Sequence, residues 1–217
     1  MLDAAWMSLK IAFLTACMSL VMGMLASLAL VRLGRFRGKM SFAGMITAPL
    51  VMPEVITGLS LLLLFVAMEK SFGWPGGRGM LTIWIAHVTF STAFVTVILS
   101  SRLKEIDRSL EEAGMDLGAS PLKVFFVITI PIITPALLAA WLLAFTLSLD
   151  DLVIASFVSG PGSTTLPMKV FSSVRLGISP KINALASIII ALVSLGVLTA
   201  GWIIRGWERK KTMGISQ

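Results

Sequence analysis

Charged side chains are scarce in this sequence. They make up 13% of its 217 residues, whereas an average soluble domain carries about 25%. Hydrophobic residues make up 57%, and the mean hydropathy is +0.95. A fold in water cannot cover so much apolar surface with so few charges. The composition therefore excludes an ordinary soluble domain and indicates a membrane protein.

Cysteine and histidine each occur once. Cys17 cannot form a disulfide within the chain, and its place in an apolar run predicts a small packing residue. His87 lies in another apolar run, where we interpret it as a hydrogen-bond partner between helices rather than a ligand. The sequence has no His, Cys and carboxylate cluster with metal-ligand spacing. We therefore expect no metal site, no catalytic centre and no cofactor on this chain.

Five stretches approach or exceed the roughly 20 apolar residues that a membrane helix needs. They predict a single all-α, polytopic membrane domain over residues 1–217. The predicted spans lie at about residues 11–31, 43–68, 80–101, 124–158 and 182–204.

The net charge of +7 comes from basic residues in short clusters between the apolar runs. This arrangement encodes membrane topology and gives no indication of a nucleic-acid partner. Twelve of the 18 lysine and arginine residues fall in alternate connections, which the positive-inside rule assigns to the cytoplasm. We therefore expect the N-terminus outside and the C-terminus in the cytoplasm, an arrangement that suggests a missing first span.

Residues 109–135 begin as an acid-rich insert between two predicted spans. Ser109 and Glu112 have the spacing of a capping box, which predicts a helix that starts at Leu110. Gly118 has the place of a glycine that ends a helix, so we expect the helix over about residues 110–118. Four residues at helical spacing predict one narrow apolar face: Leu110, Ala113, Gly114 and Leu117.

The acidity of this helix indicates what kind of partner it has. Anionic lipid attracts basic helices and repels acidic ones, and the helix carries Glu111, Glu112 and Asp116. We therefore interpret it as a docking element for a cytoplasmic protein, in preference to an amphipathic helix that rests on the membrane.

Three carboxylates stand in apolar surroundings: Glu54, Asp150 and Asp151. A charge at membrane depth costs roughly 2.5–3.5 kcal/mol on insertion scales, so it usually faces a cavity or a partner. Pro49 and Pro53 predict a break in the second span beside Glu54. No lysine or arginine within the spans can neutralise the carboxylates, which favours a cationic substrate that passes them. The alternative for the two aspartates is a cap on a helix break near the outer interface.

The segment from Glu112 to Pro131 resembles the signature of ABC importer permeases, E-A-A-x3-G-x9-I-x-L-P. Glu112-Ala113-Gly114, Gly118 and Ile128-Thr129-Ile130-Pro131 match it without a gap, with Gly114 in place of the second alanine and Ile130 in place of leucine. The resemblance implies the helical bundle of a MetI-like type I permease. It also implies that the acidic helix is a coupling helix, seated in a groove of a cytoplasmic ATPase subunit that binds ATP and magnesium. The implied coupling residues are Leu110, Glu111, Glu112, Ala113, Gly114, Asp116, Leu117 and Gly118.

Residues 48–58 and 147–157 resemble the spermidine/putrescine branch of this family, most closely the second permease of putrescine importers. The resemblance implies a permease of the bacterial inner membrane that translocates polyamines, putrescine in preference to spermidine. Its implied partners are a second permease, two ATPase subunits, an external polyamine-binding protein and membrane lipid. Family members usually have six spans, so the first is expected to be missing here. The alternative is an ion-coupled carrier or cation channel that uses the same carboxylates without an ATPase.

Overall fold

The computed structural model describes residues 1–175 and, beyond them, Ala184, Ser187, Ile188, Ala191 and Ser194. The chain divides into two compact units, Met1–Lys169 and Val170–Gln217. Regular structure in the described part is entirely helical, as the sequence predicts. The elements are α1 (Leu2–Val31), α2 (Lys39–Val51), α3 (Glu54–Phe72), α4 (Met80–Glu105), α5 (Arg108–Asp116), α6 (Pro121–Val124), a π-helical segment (Phe125–Thr129), α7 (Ile130–Asp150), α8 (Val153–Val158) and α9 (Leu166–Arg175).

Four stretches of helix among the described residues are long and apolar enough to cross a membrane. They are Leu2–Val31, Glu54–Phe72, Met80–Glu105 and Pro121–Asp150, and they correspond to the first four predicted spans. The fifth predicted span, residues 182–204, lies outside the described residues except for five isolated positions.

A stripe of small residues along α1 brings this helix close to α4. Helices in lipid associate through close packing, because there is little hydrophobic force between them, and small residues permit that approach. At Gly23 an added Cβ atom would lie 2.5 Å from Val95 Cγ1 and 3.2 Å from the backbone nitrogen of Thr96. The buried small residues recur every three or four positions: Ala4, Ser8, Ala12, Ala16, Ser19, Gly23 and Ser27.

The second predicted span is two helices. Met52 and Pro53 separate α2 from α3 with extended backbone, at ψ angles of 136° and 135°. Pro53 has no amide proton to continue the helix, and it disfavours helical backbone at the preceding residue. The predicted break beside Glu54 is confirmed, since Glu54 is the first residue of α3.

After the break, α3 packs against α8. A Cβ atom added to Gly58 would lie 2.8 Å from the ring of Phe157 and 3.3 Å from the Cα atom of Ile154. Phe65 of α3 and Ile83 of α4 pack with Ile154 in one apolar cluster. The short helix α8 is thereby held between α3 and α4.

The span that ends in α7 is irregular at both ends. It starts with the π-helical segment Phe125–Thr129, and Pro131 follows almost at once. Pro131 cannot donate the backbone hydrogen bond that would continue a regular α-helix at this point. At the other end, α7 stops at Asp150, and α8 begins three residues later, at Val153. Between these ends, α7 forms the main apolar core with α1 and α4.

Candidate functional site

Helix α5 begins two residues before the predicted start, at Arg108. Its N-cap is Asp107, whose Oδ1 atom accepts a hydrogen bond from the Ser109 N–H at 3.0 Å. Hydrogen bonding to Ser109 favours the charged carboxylate and lowers the pKa of Asp107. The predicted capping box of Ser109 and Glu112 is wrong, because aspartate caps as well as serine does and Asp107 comes first in the chain.

The C-terminal end of α5 follows the prediction. The Ala119 N–H donates to the Gly114 carbonyl at 3.2 Å, and the Gly118 N–H donates to the Met115 carbonyl at 2.8 Å. These two bonds are those of a Schellman motif. The φ angle of Gly118 is +84°, a left-handed conformation that favours glycine. Gly118 therefore ends the helix as the sequence predicts.

One face of α5 is bound to the chain's own membrane helices. The Oε1 atom of Glu111 accepts hydrogen bonds from Arg32 Nη2 and from Thr129 Oγ1, each at 2.9 Å. Arg108 Nη2 donates to the Val31 carbonyl at 3.0 Å. Arg32 is the C-cap residue of α1, and Thr129 ends the π-helical segment. The helix is thus attached to two spans at once.

Gly114 lies on this same inner face. It is buried, and an added Cβ atom would lie 2.7 Å from Ile128 Cδ1 and 3.2 Å from Val124 Cγ2. The sequence interpretation placed Gly114 on an apolar face open to a docking partner. That placement is wrong, because the start of the chain's own α7 span fills the space above the glycine.

The rest of the surface of α5 is exposed. Leu117 is 90% exposed, and Leu110 and Met115 are 50% and 42% exposed. Further exposed positions are Glu112, Ala113, Asp116 and Gly118. The free surface of the helix is therefore a mixture of apolar and acidic side chains.

Asp151 caps the N-terminus of α8 and also contacts α4. Its Oδ1 atom accepts from the Ile154 N–H at 3.2 Å, and its Oδ2 atom accepts from the Ala155 N–H at 2.7 Å. Oδ2 lies a further 3.1 Å from Nε2 of His87, whose Nδ1 atom is 2.7 Å from Ser148 Oγ. A carboxylate only accepts, so Nε2 carries the donated proton and the Ser148 hydroxyl can donate to Nδ1. The prediction for His87 is confirmed, and Asp151 takes the capping alternative.

Glu54 and Asp150 are exposed in this chain. Each stands four positions before a residue of the contact between α3 and α8, Glu54 before Gly58 and Asp150 before Ile154. None of the ion pairs among the described residues includes either carboxylate. Both therefore remain uncompensated by a basic side chain, as the sequence predicts for the spans.

Comparison with known proteins identifies the family. The model of the binding-protein-dependent transport system inner membrane component matches residues 19–212. This chain belongs to that family.

Relatives of this permease-family chain are similar along its whole length. The putrescine transport system permease protein PotI of Escherichia coli (strain K12) is 62% identical over 217 residues, which are 100% of this chain and 77% of the relative. The spermidine/putrescine transport system permease protein PotC of the same strain is 40% identical over 214 residues, which cover 99% of this chain and 77% of the relative. The predicted resemblance to the polyamine branch is confirmed, and the chain is a multi-pass membrane protein.

Solved structures show the same fold at low sequence identity. The inward-facing MetNI methionine ABC transporter matches with a TM-score of 0.71 and 16% identity, covering 94% of each chain. An amino acid ABC transporter crystallised with histidines matches with a TM-score of 0.60 and 20% identity, covering 96% of this chain and 92% of the other. The predicted MetI-like helical bundle is confirmed.

Several side-chain contacts described above could not be predicted from the sequence. Arg32 and Glu111 are 79 positions apart, and His87 and Asp151 are 64 apart. Only the packing of the spans brings such pairs together. The capping role of Asp107 could have been predicted, because an aspartate two residues before a predicted cap is itself a good cap.

Proposed function

We propose that this chain is the membrane-spanning permease subunit of an ATP-driven importer of polyamines, with putrescine as the favoured substrate and spermidine as a second. The observation that carries the proposal is its 62% identity to the E. coli putrescine permease along all 217 residues. The exposed carboxylates Glu54 and Asp150 support it, since a diamine needs fixed negative charge in place of water.

The proposed importer places ATP hydrolysis on other chains. Two cytoplasmic ATPase subunits bind ATP and magnesium, a second permease completes the membrane part, and an external polyamine-binding protein delivers the substrate. The exposed face of α5 docks on one ATPase subunit. Its mixed apolar and acidic character suits a protein groove better than anionic lipid. The proposal therefore places α5 and the C-terminus in the cytoplasm, with the spans in lipid of the bacterial inner membrane.

The proposed path of the amine passes Glu54 and Asp150. Glu54 stands directly after the break, where the C-terminal carbonyls of α2 add partial negative charge. Asp151 has a different environment, because two backbone N–H groups and the His87 ring occupy its oxygens. We assign Asp151 the task of holding the helix break in place.

Uptake of labelled putrescine into proteoliposomes that hold the complete complex tests the proposal. The double variant Glu54→Gln with Asp150→Asn is expected to lower uptake by about tenfold or more, equivalent to about 1.4 kcal/mol of lost interaction with the amine. Glu69→Gln is the matched control, since Glu69 is an exposed carboxylate near the far end of α3. It is expected to leave uptake unchanged.

The same vesicles distinguish an importer from a carrier. Vanadate is expected to stop uptake, and collapse of the proton gradient is expected to leave it intact. Uptake that resists vanadate and fails without the gradient would identify an ion-coupled carrier. Equal uptake by the wild type and the double variant would overturn the path through Glu54 and Asp150 and leave the importer standing.

A further inference from the structure

Two of the side-chain bonds that hold α5 to the membrane helices converge on one carboxylate oxygen. Oε1 of Glu111 accepts from Arg32 and from Thr129, each at 2.9 Å. The side chains of Arg32 and Glu111 are only 16% and 18% exposed, so water competes weakly for this charge-assisted bond. Among the described residues, Glu111 is the one carboxylate that pairs with Arg32. Loss of its charge would weaken both bonds together.

The three partners belong to three elements. Arg32 is the C-cap of α1, Glu111 lies in the first turn of α5, and the buried Thr129 ends the π-helical segment below α7. The other attachments of α5 each reach one span. Arg108 reaches the end of α1, and Gly114 meets the side chains of residues 124 and 128. Glu111 is the residue of α5 that joins both spans.

The neighbouring glutamate has the opposite environment. Glu112 is exposed, and none of the ion pairs in the described part of the chain includes it. Adjacent positions on a helix do not face each other, and here Glu111 is bonded to the chain's own spans whereas Glu112 is open to solvent. Glu112 is therefore accessible to a partner.

We infer that Glu111 is a positioning residue through which a movement of α5 is passed to α1 and to the start of α7, whereas the exposed face of α5 serves docking. The inference deepens the proposed function and rests on it, since it names the route from the ATPase to the spans. An element transmits movement only while it is attached at both ends, and Glu111 supplies the attachment on the membrane side.

Putrescine import and ATP hydrolysis are measured together in proteoliposomes that hold the complete complex. Glu111→Gln keeps the shape of the side chain and removes its charge. We expect the ATPase subunits to co-purify as in the wild type, hydrolysis to stay within about twofold, and import per ATP to fall by about tenfold, within the range of coupling between sites. Glu112→Lys is the matched control and is expected to lose the ATPase subunits during purification.

Exchanging the charges of Arg32 and Glu111 distinguishes a positioning role from a purely structural one. Arg32→Glu and Glu111→Arg are each expected to lower import per ATP, and the double variant R32E/E111R is expected to recover most of it, because the exchanged pair again carries opposite charges. Thr129→Val removes one hydroxyl at nearly constant volume and is expected to lower the ratio less than Glu111→Gln does. A merely structural role would lower hydrolysis and import in parallel.

Two results would overturn the inference: an unchanged ratio in both Glu111→Gln and Thr129→Val, or a double exchange no better than its single variants. If Glu111→Gln does not assemble, Thr129→Val and the double exchange decide. Failure of the wild-type complex to import putrescine would instead overturn the proposed function.

Discussion

Two adjacent aspartates at the end of α7 differ in what surrounds them, and this difference separates their tasks. Asp151 is 8% exposed, and its oxygens accept from two backbone N–H groups of α8 and from His87. Asp150 is exposed and has no basic partner among the described residues. The Asp151 carboxylate is held in place by its three hydrogen-bond donors, whereas the Asp150 carboxylate remains open to a cation.

Asp151→Asn is expected to lower the free energy of unfolding of the purified permease by about 1–3 kcal/mol, because an amide NH2 group replaces one acceptor oxygen and leaves a buried donor unpaired. Asp150→Asn is the matched control and is expected to leave the stability unchanged. Thermal unfolding in detergent, followed by tryptophan fluorescence, measures both. Equal unfolding temperatures for the two variants would contradict the assignment of Asp151 as a cap.

Part of this description of individual residues could be predicted from sequence patterns. They single out the three carboxylates and the lone histidine, because polar residues are rare in apolar runs. They do not assign His87 to Asp151, since the two residues lie on different helices and 64 positions apart. The assignment of Asp151 as a cap depended on this contact and on the bonds from the Ile154 and Ala155 N–H groups.

At the scale of the element, close packing between α1 and α4 depends on residues that have little or no side chain. The small-residue stripe of α1 includes Gly23, whose neighbouring atoms in α4 are a β-branched side chain and backbone. Neither can move away by a simple rotation, so this site has no room for a methyl group.

Gly23→Ala is expected to destabilise the purified chain by about 1–3 kcal/mol through overpacking against Val95. Gly44→Ala is the control, since Gly44 lies inside α2 with nothing within 4 Å of an added Cβ atom. Alanine has the higher helix propensity, so this variant is expected to be neutral or slightly stabilised. A melting series in detergent compares the two, and a Gly23→Ala protein as stable as the Gly44→Ala protein would refute the packing argument.

The positions of the helices could largely be predicted from the sequence, because hydropathy and proline affect the structure of the segment in which they occur. The spans and the break at Pro53 depend on such local signals. The π-helical segment gave no signal of its own, since its residues are ordinary apolar ones. The inner and outer faces of α5 were also partly misassigned, because Gly114 was grouped with the exposed Leu110 and Leu117. Which face turns inward is decided by Arg32 and Thr129 on other elements.

At the scale of the whole molecule, the fold persists where little sequence similarity remains. The match to the MetNI transporter has a TM-score of 0.71 at 16% identity. Membrane spans tolerate exchange among apolar residues as long as length, small-residue contacts and breaks are kept. The fold could therefore be predicted from composition and the signature, whereas the direction of insertion depends on the charge count.

Cysteine labelling tests that direction. In a Cys17→Ser background, which removes the one native thiol, Ser71→Cys and Ser41→Cys each place a thiol at an exposed position, near the end of α3 and near the start of α2. A membrane-impermeant maleimide added to intact cells is expected to label residue 71 and to label residue 41 only after permeabilisation, as the positive-inside rule requires. The reverse pattern would invert the proposed topology.

The two faces of α5 have a consequence for chimeras in which one permease receives a segment of another. Its exposed face is the proposed docking surface, and its inner face fits Arg32, Val124, Ile128 and Thr129 of this chain. A chimera that receives only Arg108–Asp116 would acquire the recognition surface and lose the mechanical linkage. The smallest transferable module is therefore discontinuous in sequence, and it includes the C-cap of α1 and the first turns below α7 together with the helix itself.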